Sequence, residues 1–185
     1  FLNLRTRLKA EGIGHHAPAD PAHQFLLQSG KTLFKGMPYE ELRRLQIALP
    51  EGTSADAITR VELADNYGFH EVLEMEDERE LLKEITLRIT ERDPDVIEGH
   101  DLFRSLLTRI AARVRRVRLK LPWGRNGDLL TKRASRIQIA EKNISYPKFS
   151  AEGRHFVDTY LLAQLWDVGT RVLEGFTLEE VATHF

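Results

Sequence analysis

The sequence predicts an α/β domain built on a mixed sheet with flanking helices. Three observations predict it. Short segments with apolar–polar alternation, Leu45–Leu49, Ile58–Ala64 and Phe69–Leu73, follow one another across turn signals, as consecutive antiparallel strands do. A capped helical pattern comes next, with Leu82, Ile85 and Ile89 on one face. It leads through Asp93-Pro94 into Val96-Ile97, a short apolar run that reads as a buried strand parallel to the first. With 185 residues, 42% of them hydrophobic, the chain can form one proper core with a small appendage.

Residues 1–36 are the expected appendage, and 37–185 the main domain. Phe1 to Ala10 reads as a short helix, and Gly12, Gly14, Pro18 and Pro21 interrupt any continuation. Two apolar runs, Gln24–Gln28 and Thr32–Phe34, flank Ser29-Gly30-Lys31 and read as a β-hairpin. Pro38 can open a helical turn over Tyr39 to Arg43, and Pro50 stops the first core strand. Asp65-Asn66-Tyr67-Gly68 is a turn between the next two strands. Asp77 followed by Glu80 is a capping box for the acidic helix.

Beyond Val96-Ile97, Leu102 to Val114 reads as a helix that buries Leu106, Leu107, Ile110 and Val114. Apolar and basic residues then alternate from Val114 to Leu121, which suggests that the helix gives way to a strand. Arg125-Asn126-Gly127-Asp128 is a hairpin-turn signal, and the polar residues to about Ser150 read as a surface excursion. His155–Asp158 returns as a strand, Tyr160 to Trp166 begins a helix, and Thr177 with Glu180 caps a last one.

Composition narrows the chemistry. There is no cysteine, which excludes disulfide frameworks, thiolate zinc sites and cysteine nucleophiles and fits a cytoplasmic protein. No apolar run reaches the roughly 20 residues of a membrane span. The net charge of −1 means that any nucleic-acid surface must come from local clustering. Such a cluster exists: Arg104, Arg109, Arg113, Arg115, Arg116, Arg118, Lys120 and Arg125 occur with no acid between Asp101 and Asp128. Beginning at Phe1 rather than Met, the sequence is expected to be incomplete.

Three segments carry a family resemblance: Leu42-Arg43-Arg44-Leu45-Gln46-Ile47; Asp93-Pro94-Asp95-Val96-Ile97-Glu98-Gly99-His100-Asp101; and Val157-Asp158-Thr159-Tyr160 with Leu173 to Ala182. Together with the element order they resemble the proofreading 3′–5′ exonuclease domain of family B DNA polymerases, of the ribonuclease H-like fold. The resemblance implies metal-dependent removal of nucleotides from single-stranded or frayed DNA 3′ ends, two Mg²⁺ or Mn²⁺ ions held by carboxylates, and an attached or associated polymerase domain. The family pattern places Asp-x-Glu on the first strand, an Asp shortly after the Gly-His-Asn segment, and a Tyr-x-x-x-Asp near the domain end. This sequence departs at each. It reads Ala48-Leu49-Pro50 on the first strand, with Glu51 the nearest acid. Phe103-Arg104 runs into Ser105-Leu106-Leu107 with only Asp101 nearby, and the third motif would lie beyond Phe185.

Two accounts follow. In one, the domain has lost catalysis and serves as a nucleic-acid-binding or scaffold module. In the other, residues around Leu49–Ser54 and Arg104–Ser105 are missing from the sequence and the domain is an active nuclease, with another nuclease of the same fold as a variant. Glu51 and Asp101 are the candidate metal ligands; Glu51 also fits a solvated loop acid, and Asp101 the N-cap of a helix beginning at Leu102. His100, Arg104, Arg115, Arg116, Arg118 and Trp123 are the candidate DNA contacts: arginines for phosphates, Trp123 for stacking on a base. Asp158 reads as a helix cap.

Overall fold

The computed structural model describes residues 2–14, 21–30, 38–50 and 57–185. The chain divides into two compact units, Phe1–Glu41 and Leu42–Phe185. The first unit holds α1 (Leu2–Ala10), α2 (Pro21–Ser29) and a 3₁₀ turn at Tyr39–Glu41. The hairpin expected here is corrected in its first arm, because Gln24–Ser29 is helical; the arm Thr32–Phe34 lies outside the described residues. Pro21 opens the helix and Gly30, at φ +64°, follows its end, so the residues read as hairpin punctuation bracket a helix instead.

In the second unit β1 (Arg44–Ala48), β2 (Arg60–Asp65), β3 (His70–Glu74), β4 (Val96–Gly99) and β7 (His155–Asp158) form one sheet in the order β3-β2-β1-β4-β7. The β1–β2 and β2–β3 pairs are antiparallel, while β1–β4 and β4–β7 are parallel. This is the mixed α/β sheet that the sequence predicts. Helix α3 (Glu78–Arg92) buries Leu81, Leu82, Ile85 and Ile89 against it. Asp77 caps α3 through the backbone N–H groups of Arg79 and Glu80, while the Glu80 carboxylate takes Lys83 at 2.6 Å. Leu45, Ile47, Val61, Leu63, Ile97, Leu107 and Ile110 complete the centre of the core.

Three expectations change after β4. The helix expected from Leu102 starts as a π-helical turn, Leu102–Leu106, before α4 (Leu107–Arg116). The strand expected after Val114 does not form. Helix α4 runs to Arg116, and Ile110, Val114 and Val117 meet the core at helical spacing, so the alternation reflects only the arginines between them. The surface excursion is a two-stranded antiparallel hairpin, β5 (Thr131–Ile139) and β6 (Lys142–Ser150), with Ile139 and Phe149 in the core. The turn at Arg125–Asp128 exists, closed by Gly124 N–H donating to Asp128 O at 2.9 Å, ahead of that hairpin. Helices α5 (Thr159–Thr170) and α6 (Leu178–His184) follow, α6 with the expected Thr177–Glu180 capping box. No described helix is long and apolar enough to cross a membrane.

Candidate nucleic-acid interface at the strand ends

In an open sheet with parallel strands, chemistry gathers outside the carboxyl ends of those strands. Here these are the ends of β1, β4 and β7. Gly99 and Asp158 are register partners at two of them. Gly99 is required by close packing: a Cβ there would lie 2.7 Å from the carbonyl oxygen of Ile47 on β1. At the end of β1 stand Ala48, Leu49 and Pro50, and Glu51 lies outside the described residues.

Asp101 follows β4 in the left-handed region at φ 49° and makes no side-chain capping bond, so the N-cap reading is corrected. A residue with positive φ does not aim its side chain at the N–H groups of the next turn as an extended N-cap does. Its Oδ1 is buried without a hydrogen bond. Arg104 Nε lies 3.4 Å away, in an orientation that makes the contact Coulombic. Burial pushes the Asp101 carboxyl above the usual carboxylate range, opposed by Arg104 and reinforced by Asp158. Asp158 has both oxygens engaged: Oδ1 accepts from Tyr160 N–H and Oδ2 from Phe103 N–H, each at 3.0 Å. It caps α5, as expected, and ties the π-helical turn to β7.

His100 is fully bonded at the end of β4. Its Nε2 meets Phe176 O at 2.7 Å and therefore donates, and Nδ1 meets the Thr159 hydroxyl at 3.1 Å. Its ring packs edge-on against Tyr160, whose other neighbours are Phe176 and the Arg104 guanidinium. The imidazole thus ties the segment before α6 to the strand ends.

The basic run separates into two groups. Arg113 forks onto buried Glu78, Nε to Oε1 and NH2 to Oε2, both at 2.7 Å, and Arg125 binds Asp93 and Asp95. Arg115, Arg116 and Arg118 are exposed. Glu78 also accepts from Ile58 N–H at 2.7 Å, just ahead of β2, and Arg79 donates to Val117 O at 2.5 Å. Since β2 runs antiparallel to β1, these bonds bring the last turn of α4 to the carboxyl end of β1. Arg115, Arg116 and Arg118 therefore border the same edge of the sheet as Asp101 and Arg104. Trp123 is a correction: it is 1% exposed, its indole N–H donates to Thr86 Oγ1 at 3.0 Å, and it has no face to offer a base. Its basic neighbours concealed a core residue.

At the opposite end of β4, Arg154, 3% exposed in its side chain, donates to Asp93, Pro94 O and Trp123 O. Asp93 and Asp95 are held below the usual carboxylate range: for Asp93 the Arg125 bond leads, and for Asp95 the bonds from Arg125 and Arg43 N–H outweigh burial. This cluster was not visible in the sequence, because its arginines lie about 30 and 60 residues downstream of their partners.

Sheet order and the flanking helices are those of a ribonuclease H-like α/β domain. The family model for the exonuclease domain of DNA polymerase family B matches residues 42–178, and the chain belongs to that family. Among solved structures, the family B DNA polymerase from the hyperthermophilic archaeon Pyrobaculum calidifontis shares its fold, with a TM-score of 0.60 and 23% identity. The match covers 81% of this chain and 19% of that one. No curated protein matches.

The described residues do not by themselves supply the carboxylate cluster of the divalent-ion pair that the family implies. Among the described residues no three carboxylates or histidines converge. Ala48, Leu49 and Pro50 end β1, Asp158 is bonded to two backbone N–H groups, and Asp101 faces a guanidinium. The junction Arg104–Ser105 lies inside a continuous turn between buried Phe103 and Leu106.

Proposed function

We propose that this exonuclease-family domain binds single-stranded or frayed DNA 3′ ends without hydrolysing them, as part of or alongside a polymerase. One observation carries the reading: at the strand-end edge Arg104, Arg115, Arg116 and Arg118 face solvent, while Asp101 holds the one buried carboxylate oxygen without a hydrogen bond among the described residues. Such an edge attracts phosphates, and its described residues hold no cluster of ion ligands. A second reading, a 3′–5′ exonuclease dependent on Mg²⁺ or Mn²⁺, has one observation in its favour. Asp101 keeps that oxygen beside Asp158 at the end of β4, and Glu51 would have to supply a further ligand. Incubating 5′-labelled single-stranded DNA with the protein and either ion separates the two. Salt-sensitive retardation of intact DNA is the expected result; stepwise shortening from the 3′ end only when ion is present refutes the first reading and supports the second.

A further inference from the structure

A 3′ terminus differs from the interior of a strand in its free hydroxyl and in a last phosphodiester with one nucleoside beyond it. One cation on the strand-end edge is placed to meet that phosphodiester. Arg104 rises from the π-helical turn after β4 with 42% of its side chain exposed. Its guanidinium carbon lies 5.0 Å from the centre of the Tyr160 ring, a cation–π distance that holds the group over the ring. Nε is turned toward Asp101, and no hydrogen bond occupies the two terminal nitrogens among the described residues. Aromatic pairs pack beside the turn that carries Arg104. Tyr146 of β6 stacks on Phe103 at 5.3 Å on one flank. On the other, Tyr160 meets Phe176, whose carbonyl is bonded to His100.

We infer that Arg104 binds the terminal phosphodiester of a DNA 3′ end through the open fork of its guanidinium, where an active nuclease would use divalent ions, and that Tyr160 positions it. Planar guanidinium suits this task because it offers two parallel donors to two phosphate oxygens. The inference rests on the DNA-binding reading above and adds that end recognition is independent of metal.

The test compares linear and covalently circular single-stranded oligonucleotides of equal length and composition, by fluorescence anisotropy, in EDTA and in Mg²⁺. Wild-type protein is expected to prefer the linear form in both buffers by about tenfold, the worth of a charge-assisted hydrogen bond. Arg104→Gln should bind both forms equally, the linear form losing more affinity than the circle. Arg104→Lys, with charge but no fork, should lose most of the preference and decides the matter if the Gln variant fails to fold. Failure of wild-type protein to bind either form overturns the DNA-binding reading itself. Binding without preference for the linear form, a preference that needs Mg²⁺, or a preference unchanged in both variants overturns the role of Arg104 alone.

Discussion

Replacing Arg113 with Met removes one half of the fork that sets the basic edge, and the structure gives the size of the effect. Glu78 and Arg113 have side chains 9% and 15% exposed. The carboxylate receives two bonds at 2.7 Å from the guanidinium and one from Ile58 N–H. Were the pair on the surface, its loss would cost about 0–1 kcal/mol. Here a charge is left buried without its partner, and the cost should be about 3–5 kcal/mol, a large share of the roughly 5–15 kcal/mol of a typical domain. Dependence on pH provides a second reading of the same event. Burial raises the Glu78 pKa, but the bonds from Arg113 and Ile58 N–H outweigh it, so the folded value is depressed. A depressed acid contributes stability above its unfolded pKa of about 4.3 and loses that contribution as pH falls through the folded value. In the variant, burial dominates and the carboxyl takes up a proton more readily, so the gap between the proteins should narrow on going from pH 7 toward pH 4. Urea unfolding followed by circular dichroism at several pH values measures both. A cost below about 1 kcal/mol at pH 7, or a gap constant with pH, would refute the account.

Gly99→Ala places a methyl group 2.7 Å from Ile47 O. Overpacking against backbone should cost about 1–3 kcal/mol, seen as a lower denaturation midpoint, and an unchanged midpoint counts against the close approach. Replacing Arg115, Arg116 and Arg118 together with Ala should weaken DNA binding and flatten the plot of log affinity against log salt by about 2, three contacts at about 0.7 each; an unaltered slope removes them from the interface. The protein has two tryptophans, so Trp166→Phe isolates Trp123. Its emission should be blue-shifted, resistant to acrylamide and indifferent to DNA, and quenching by bound DNA would contradict its burial.

The sheet was legible because β1, β2 and β3 each alternate and are separated by turn residues, and because Val96-Ile97 is too short and apolar for anything but a buried strand. The β5–β6 hairpin was not. Lys132, Arg133 and Arg136 are exposed, and alternation of exposed and half-buried positions is confined to Ser135–Ile139 and a few residues of β6, so the strand signal is short within a polar stretch. Gln24–Gln28 is five residues long, too few to separate a helical period from a strand period, and Pro21 and Gly30 punctuate either element. At the site, Asp101 was legible as a position and not as a conformation. Its positive φ comes from the sharp exit of the chain from β4 into a π-helical turn, and no local residue pattern signals it.

The segment Asp93 to Arg104 joins two duties at the two ends of one strand. Its first acids, Asp93 and Asp95, hold Arg125 and Arg154, the residues that bracket the β5–β6 hairpin in the chain. Those carboxylates therefore fasten the hairpin to the start of β4 and have no part at the strand-end edge. Four residues of strand carry that attachment to Gly99, where contact with Ile47 O leaves no slack between β4 and β1. Beyond it Asp101 and Arg104 lie on a turn pinned to β7 by Asp158 and covered from the side by Tyr146 of the same hairpin. The hairpin is thus held at one end of β4 and presses on the turn at the other. Packing that starts at Asp93 reaches, through the hairpin, the turn that carries Arg104.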